Sequence, residues 1–248
     1  MNEMITIAAA AAVCIAAGIF AGLSIVFVFN RIPASWLCDY GERPSAELTD
    51  PNIKRIKENP WRWLFAAGAA CMCVRLLLGN GEITLTGIQM TVSGLIASWA
   101  LGIIALSDRK YMIIPDQFLL VIVVSAIGMA RVFRNTESVM GLHGFWQPAA
   151  GLLVGGGAML MIAGIGVLAK KEIMGFGDVK LCGAIGLLLG GEGTGAVLIM
   201  TALVSGAAAA AGLISGKYKR HDAMPLGPYI CACTGLYMFI LWPLTIYN

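Results

Sequence analysis

Two short motifs carry the residues of this chain whose types could do chemistry. The first, SDRKYMIIPD, spans residues 107–116, and the second, MGFGDVK, spans residues 174–180. Within them, Asp108 and Asp178 stand where apolar segments meet their loops, although only 12% of all residues are charged. Acids near lipid are costly and usually face a cavity, a partner or a reaction. Two carboxyl groups on one membrane face are the minimum that aspartic proteolysis requires.

In aspartic proteolysis one ionised carboxyl takes a proton from a water while a protonated carboxyl polarises the scissile carbonyl. Two close like charges cannot both ionise cheaply, so the pair shares one proton and titrates as a unit. Asp178 precedes an apolar helix, whose N-terminal dipole favours an anion, whereas Asp108 ends one, where the dipole opposes it. We therefore expect Asp178 to be the more acidic member and Asp108 the more readily protonated one.

Each aspartate also has a structural explanation. Asp178 and Asp116 both stand before an apolar run, where an Asp side chain caps free N–H groups. We interpret Asp116 as such a cap, and for Asp178 capping stays open beside catalysis. Asp108 gains nothing from capping, and an exposed ion pair with Arg109 or Lys110 would contribute little. The position of Asp108 therefore indicates a functional role.

The residues around the aspartates favour this chemistry over others. Gly175 and Gly177 have no Cβ, so we expect them to allow close approach of backbone and substrate and unusual φ/ψ angles. With only His143 and His221, both in loops, a zinc protease or a Ser-His-Asp triad lacks its parts. The glycine-rich segment 190–195 follows no strand, and we interpret it as a turn rather than a phosphate-binding loop.

The composition predicts the elements that must position these residues. The chain has 248 residues, of which 58% are hydrophobic and 31 are glycine, as is typical of a polytopic membrane protein. Its basic residues are dispersed, so no nucleic-acid partner is indicated. The N-terminus lacks the basic region of a signal peptide, so we expect the first apolar run to stay as a membrane helix.

We predict an all-α transmembrane bundle of about eight membrane helices with the N-terminus outside. The candidate spans are 4–29, 63–78, 85–106, 118–130, 149–169, 179–189, 196–214 and 229–247. The second, fourth and sixth fall short of the roughly 17–25 residues that span a bilayer, so six or seven spans stay possible.

The distribution of charge supports eight spans. The loops 30–62, 107–117, 170–180 and 215–228 then face the cytoplasm and hold 14 of the 17 lysines and arginines. Such a bias is a positive-inside signal, and losing one span would destroy it. Both catalytic candidates fall on this cytoplasmic face. Three G-x-x-x-G pairs, which we interpret as helix packing only, are Gly18/Gly22, Gly151/Gly155 and Gly186/Gly190.

At these motifs the chain resembles the type IV prepilin peptidases, or leader peptidases, which are membrane aspartic proteases with a G-x-G-D motif. The family's Asp followed later by Ile/Leu-Pro-Asp is matched within 107–116, its G-x-G-D block within 172–181, and its later Pro-x-Gly-Pro at 225–228. By this likeness Asp108 and Asp178 are the catalytic pair. The residues that would support them in the motifs are Pro115, Asp116, Gly175, Gly177 and Lys180.

The resemblance implies one transmembrane peptidase domain over residues 1–248, in the cytoplasmic membrane of a bacterium. Its partners would be the lipid bilayer and a prepilin or pseudopilin with a basic leader, and proteolysis would need no cofactor. The loop 30–62 replaces the zinc-binding loop of larger members and holds only Cys38, so we expect no metal site. Those members also N-methylate their product with S-adenosylmethionine, and the altered loop leaves that activity open.

Two other classes of function fit the composition. A proton- or cation-coupled transporter would also use membrane aspartates, but it predicts acids near mid-membrane and often repeated halves. The acids here lie at segment ends, and the halves show no convincing repeat. A non-catalytic membrane scaffold would leave the position of Asp108 unexplained.

Overall fold

The computed structural model describes residues 2–38, 46–49, 54–77, 84–135, 141–142, 144–168, 174–216 and 224–241. Across these residues the regular structure is helical and contains no strand, which confirms the predicted all-α class. The helices are α1 Asn2–Phe29, α2 Ala46–Thr49, α3 Trp61–Leu77, α4 Leu85–Tyr111, α5 Asp116–Gly128, α6 Ala130–Asn135, α7 Trp146–Leu152, α8 Ala158–Leu168, α9 Phe176–Ile214 and α10 Gly227–Ile240. A π-helical turn, Leu153–Gly157, joins α7 to α8, and a 3₁₀ turn, Ala34–Trp36, follows α1.

The apolar helices are those of a multi-pass membrane protein. Four helical stretches in the described part of the chain are long and apolar enough to cross a bilayer: Ile7–Phe29, Leu85–Tyr111, Trp146–Leu168 and Phe176–Ile214. α5 and α10 are apolar but shorter, with 13 and 14 residues. After Met129 the chain continues from α5 into α6, which lengthens the short fourth span.

The longest helix, α9, is interrupted at Gly190. There φ is 75° and ψ is 178°, a combination that is essentially restricted to glycine. Gly155 of the π-helical turn lies against both the carbonyl of Cys182 and the side chain of Thr194. In a straight helix those two residues would be about 18 Å apart, so they could not both contact Gly155. The chain therefore turns back at Gly190.

The reversal divides α9 into a first arm, 176–189, and a second arm, 191–214. These arms correspond to the predicted sixth and seventh spans. The turn predicted over 190–195 is wrong in extent, because residues 191–195 are helical and Gly190 alone departs from helical angles.

Close helix packing depends on the predicted glycine pairs. A Cβ on Gly18 or Gly22 would collide with the backbone of Ala70 or Ala66 in α3. Gly151 of α7 and Gly186 of α9 meet backbone to backbone in the same way. The interpretation as packing agrees with the contacts of Gly18, Gly22, Gly151, Gly155 and Gly186, but packing alone is wrong for Gly190, where the chain reverses. The contact between α7 and α9 fixes the first arm, which begins at the second motif.

The loop after α1 is fastened to the ends of two helices. The Asn30 side chain exchanges hydrogen bonds with the backbone of Ile56, and the Arg55 guanidinium donates to the Phe29 carbonyl. Lys110, at the end of α4, donates to the Arg55 carbonyl.

Within the same loop, the hydrogen bond and the charge of Lys54 lower the pKa of the Glu58 carboxyl, with a smaller effect from Arg62. Residues 39–45 and 50–53 of the predicted loop 30–62, together with His143 and His221, lie outside the described residues.

Candidate active site

Asp108 lies in the last turn of α4 and is only 6% exposed. Its Oδ2 accepts a hydrogen bond of 2.9 Å from the backbone N–H of Gly227, the first residue of α10. Since no side chain at the N-cap of α10 binds that helix end, Asp108 satisfies one of its free N–H groups from another helix. The positive end of the α10 dipole thus offsets the unfavourable end of α4.

The cations that follow Asp108 in the sequence contact other groups. The guanidinium of Arg109 lies 5.4 Å from the ring centroid of Trp61, and Lys110 donates to the Arg55 carbonyl. The exposed ion pair that the sequence allowed for Asp108 is therefore not formed, and its carboxyl group faces inward.

Gly227 is a residue of the site that sequence reasoning missed. A Cβ built on it would lie 2.7 Å from Oδ2 and 2.9 Å from Cγ of Asp108, so only glycine lets the two helices approach this closely. Its signal in the sequence was the Pro-Leu-Gly-Pro segment 225–228, which marked a helix start but did not indicate a contact with an aspartate.

Asp178 is the third residue of α9, in the first turn after the N-cap residue Gly175. Its backbone N–H donates to the Gly175 carbonyl at 3.1 Å, but no capping bond is made by its side chain. Oδ1 of Asp178 is buried and has no hydrogen-bond partner among the described residues. The carboxyl groups of Asp178 and Asp108 lie close enough to interact electrostatically. The fold thus brings together two acids that are 70 positions apart in sequence.

A short connection, residues 112–115 of the first motif, joins α4 to α5 and contacts the second motif. The Ser107 hydroxyl donates to the Ile113 carbonyl at 2.7 Å, which holds the connection against the end of α4. Ile114 packs on Gly177, where a Cβ would lie 3.2 Å from the Cβ of Ile114. The predicted close approach at Gly177 is therefore observed.

An ion pair also joins the first motif to the second. The Lys180 ammonium donates to both carboxylate oxygens of Asp116, at 2.9 and 2.8 Å. The interpretation of Asp116 as a helix cap is wrong, because Pro115 is the N-cap residue of α5 and no side chain caps this helix. Asp116 and Lys180 instead tie the start of α5 to the first turn of α9, two residues after Asp178.

Gly175 shows neither the unusual backbone angles nor the close backbone contact that the sequence predicted for it. Its φ of −70° and ψ of 143° are ordinary angles, and a Cβ placed on it would meet nothing within 4 Å. Gly177 also lacks a positive φ. The prediction of unusual backbone angles at these two glycines is therefore wrong, and Gly175 leaves open space on the exposed side of the first turn of α9.

Comparison with known proteins agrees with this arrangement. Residues 95–214 match the type IV leader peptidase family. This segment holds both aspartates, the connection from α4 to α5 and the Asp116–Lys180 pair. It belongs to the type IV leader peptidase family. The family resemblance predicted from the sequence is confirmed, and with it the peptidase class of the enzyme.

Similar proteins carry the name prepilin leader peptidase/N-methyltransferase. The one from Aeromonas salmonicida is 29% identical over 208 residues, which cover 77% of this chain and 67% of the relative. The one from Bacillus subtilis is 28% identical over 130 residues, or 52% of this chain and 48% of the relative. The one from Aeromonas hydrophila is 28% identical over 158 residues, or 61% and 50%. No solved structure matches the chain.

The hydrogen bonds of this peptidase distinguish its two aspartates. Oδ2 of Asp108 accepts from a backbone N–H, which stabilises a carboxylate. Oδ1 of Asp178 is buried without a donor, which favours the neutral acid at that position. These contacts favour a protonated Asp178 and an ionised Asp108, the opposite of what the helix dipoles of α4 and α9 alone predict. The difference arises because the start of α10 lies beside Asp108.

The described residues contain no cluster of metal-binding side chains. No group of three or more His, Cys, Asp or Glu side chains there could hold a metal ion. The buried thiols of Cys182 and Cys231 lie close enough to the aspartates to interact with them electrostatically. The described residues around Asp108 and Asp178 thus place two carboxyl groups beside buried thiols.

Breaking the Asp116–Lys180 pair is expected to slow the peptidase without unfolding it. The two side chains are 66% and 41% exposed, so the pair contributes about 1 kcal/mol or less to stability. Because it positions the turn that holds Asp178, we expect Asp116→Asn or Lys180→Met to lower kcat about tenfold with little change in KM. The double variant Asp116→Lys/Lys180→Asp should recover most of that loss.

The measurement is steady-state cleavage in detergent or liposomes, together with thermal unfolding. Glu58→Gln is the matched control, since it breaks the exposed Lys54–Glu58 pair, and we expect it to leave kcat unchanged. Wild-type activity in Asp116→Asn, or no recovery in the charge-swapped double variant, would contradict a positioning role for this pair.

Proposed function

We propose that this peptidase removes the leader from prepilins or pseudopilins at the cytoplasmic face of a bacterial inner membrane. The observation that carries the proposal is the meeting of Asp108 and Asp178 at one end of the helix bundle, within the segment that matches the family. Both acids lie in terminal turns of apolar helices. The names of the relatives supply the substrate class.

The proposed reaction uses the two acids in different roles. The Asp108 carboxylate takes a proton from a water, and the resulting hydroxide attacks the carbonyl carbon of the scissile peptide bond. The protonated Asp178 donates a hydrogen bond to the carbonyl oxygen and stabilises the charge that develops on it. Collapse of the tetrahedral intermediate breaks the C–N bond, and the proton held by Asp108 passes to the leaving amine.

The surroundings of the acids support this assignment. The N–H of Gly227 orients the Asp108 carboxylate, and the pair formed by Asp116 and Lys180 holds the turn that carries Asp178. The open face at Gly175 leaves room for an extended substrate backbone beside the dyad. A transporter is disfavoured because these acids lie at helix ends and not at mid-helix.

Transfer of a methyl group is the second activity in the names of the relatives. The cavity beside Asp108 is lined almost entirely by apolar side chains, and Arg109 is its one charged residue. Such a lining does not fit S-adenosylmethionine, which carries an amino group, a carboxylate and a sulfonium. We therefore propose proteolysis, and not methyl transfer, as the activity of the described site.

The test is reconstitution of the purified protein in liposomes with a full-length prepilin. We expect cleavage after the leader, read by mass spectrometry of the mature N-terminus. Neutralising the basic residues of the leader should slow cleavage, as the proposed substrate class requires. Addition of S-adenosylmethionine shows in the same spectra whether the new N-terminus gains a methyl group. Absence of any cleavage of prepilins or pseudopilins by the wild type would overturn the proposed function.

A further inference from the structure

A long apolar groove opens beside the aspartates. It has a volume of about 560 Å³ and lies between α3, α4 and α10. Its lining includes Leu64, Leu101 and Leu236, one from each helix. Polar groups are few along its length.

One end of the groove reaches the candidate active site. Arg109 and Pro228 line that end, and each directly follows a residue of the hydrogen bond between Asp108 and Gly227. Cys231 lines the groove as well, and its thiol lies close enough to Asp108 and Asp178 to interact with both electrostatically. The groove therefore ends next to the dyad, although neither aspartate lines it.

The groove extends from there along three helices. Its lining runs over 61–72 of α3, 98–109 of α4 and 228–239 of α10. Eleven helical steps correspond to about 16 Å, or three turns. A groove of this length, apolar along its walls and bounded by helices on its sides, matches the surface that one further α-helix would cover.

Small residues inside the groove have no partner in the described part of the chain. In membrane proteins such residues let helices approach closely, as Gly18 and Gly22 do against α3. Gly68 and Gly235 also line the groove, but a Cβ on either would meet nothing within 4 Å. The same type of contact surface is thus present on α3 and α10 and is left open.

We propose that the groove between α3, α4 and α10 binds the apolar helix of the substrate and presents its N-terminal end to Asp108 and Asp178. This inference rests on the proposed function, because only a membrane-embedded helical substrate needs such a surface. In the substrates that the family resemblance implies, the scissile bond lies just before an apolar helix, so a helix seated along the three turns would end beside the dyad.

The proposal is tested by filling the groove. Gly68→Leu and Gly235→Leu place a side chain in open space inside it, so the fold should tolerate both changes. Gly164→Leu in α8 is the matched control, because Gly164 also has nothing within 4 Å of a built Cβ and does not line the groove. Each variant is assayed with a full-length prepilin and with a short peptide that keeps the leader and cleavage site but lacks the helix.

We expect the two groove variants to lower kcat/KM for the full-length substrate about tenfold or more, because overpacking displaces a helix from its contact surface. Cleavage of the short peptide should stay at the wild-type rate, and Gly164→Leu should change neither. In addition, a photo-crosslinker in the apolar helix of the precursor should label α3 or α10 of an inactive Asp108→Asn enzyme.

The other outcomes are distinguishable. If wild type cleaves the precursor and both groove variants cleave it equally well, the helix docks elsewhere or only lipid fills the groove, and the docking proposal fails while the proposed function stands. Crosslinks confined to α8 or to the second arm of α9 lead to the same conclusion. If wild type cleaves neither substrate, the proposed function fails and the docking proposal fails with it.

Discussion

Asp108→Asn and Asp178→Asn should each abolish cleavage and leave the fold intact. Both changes keep the size of the side chain, and the amide oxygen of an Asn at position 108 can still accept from the N–H of Gly227. What they remove is proton transfer, which contributes roughly 10²–10⁴-fold to such reactions. Because the two acids act as one unit, we expect the double variant to be no slower than either single variant.

The measurement is the initial rate of prepilin cleavage, with circular dichroism and thermal unfolding as checks on the fold. Glu58→Gln serves as the control, since it removes a carboxylate from an exposed pair outside the dyad. A wild-type rate in either Asp→Asn variant would exclude the dyad as the catalytic group.

Gly227→Ala should lose most of the activity although it adds a single methyl group. The new Cβ would lie 2.7 Å from Oδ2 of Asp108, so either the carboxyl group or the start of α10 must move. Either movement breaks the hydrogen bond that orients Asp108, and a misplacement of about 1 Å can cost on the order of 100-fold in rate. We also expect some loss of stability, because overpacking a buried contact costs about 1–3 kcal/mol.

Gly164→Ala separates the local effect from that of an added methyl group on a membrane helix. Gly164 lies in α8, outside the groove, and its Cβ would meet nothing within 4 Å, so this variant should keep its rate and its thermal unfolding temperature. If Gly227→Ala cleaves as fast as Gly164→Ala, the contact between α10 and Asp108 has no role in orienting the acid.

The sequence predicted the helices and the pair of acids because both have local signals. Long apolar runs define membrane helices, and a G-x-G-D block or an acid at a helix end is visible without the fold. The charge bias of the loops put Asp108 and Asp178 at one end of the bundle, where the structure also has them together. A turn near Gly190 is predicted as well, because alternating spans require the chain to reverse between 179–189 and 196–214.

Two wrong predictions are local, the backbone angles at Gly175 and Gly177 and the extent of the turn at 190–195, and the others concern contacts between distant segments. Gly227 binds Asp108 across 119 positions, and Lys180 binds Asp116 across 64. Neither pairing leaves a periodic pattern in the sequence, so Asp116 was interpreted from its nearest neighbours as a cap. The roles that we propose for the two acids differ from those predicted by helix dipoles for the same reason, because the dipole of α4 alone leaves out the start of α10 beside Asp108.

The first arm of α9 has a consequence for where the reaction takes place. Asp178 and Gly190 are twelve residues apart, or about 18 Å along the arm, whereas the hydrocarbon layer of a bilayer is about 30 Å thick. With the reversal near one lipid surface, the dyad lies below the headgroups of the other, or the bilayer thins around it. Depth-dependent quenching of a fluorophore at Gly175 would measure this position. A protease at that depth selects by access as well as by sequence: a short flexible peptide can enter it, but the folded soluble proteins of the cell cannot bring a peptide bond to the two acids.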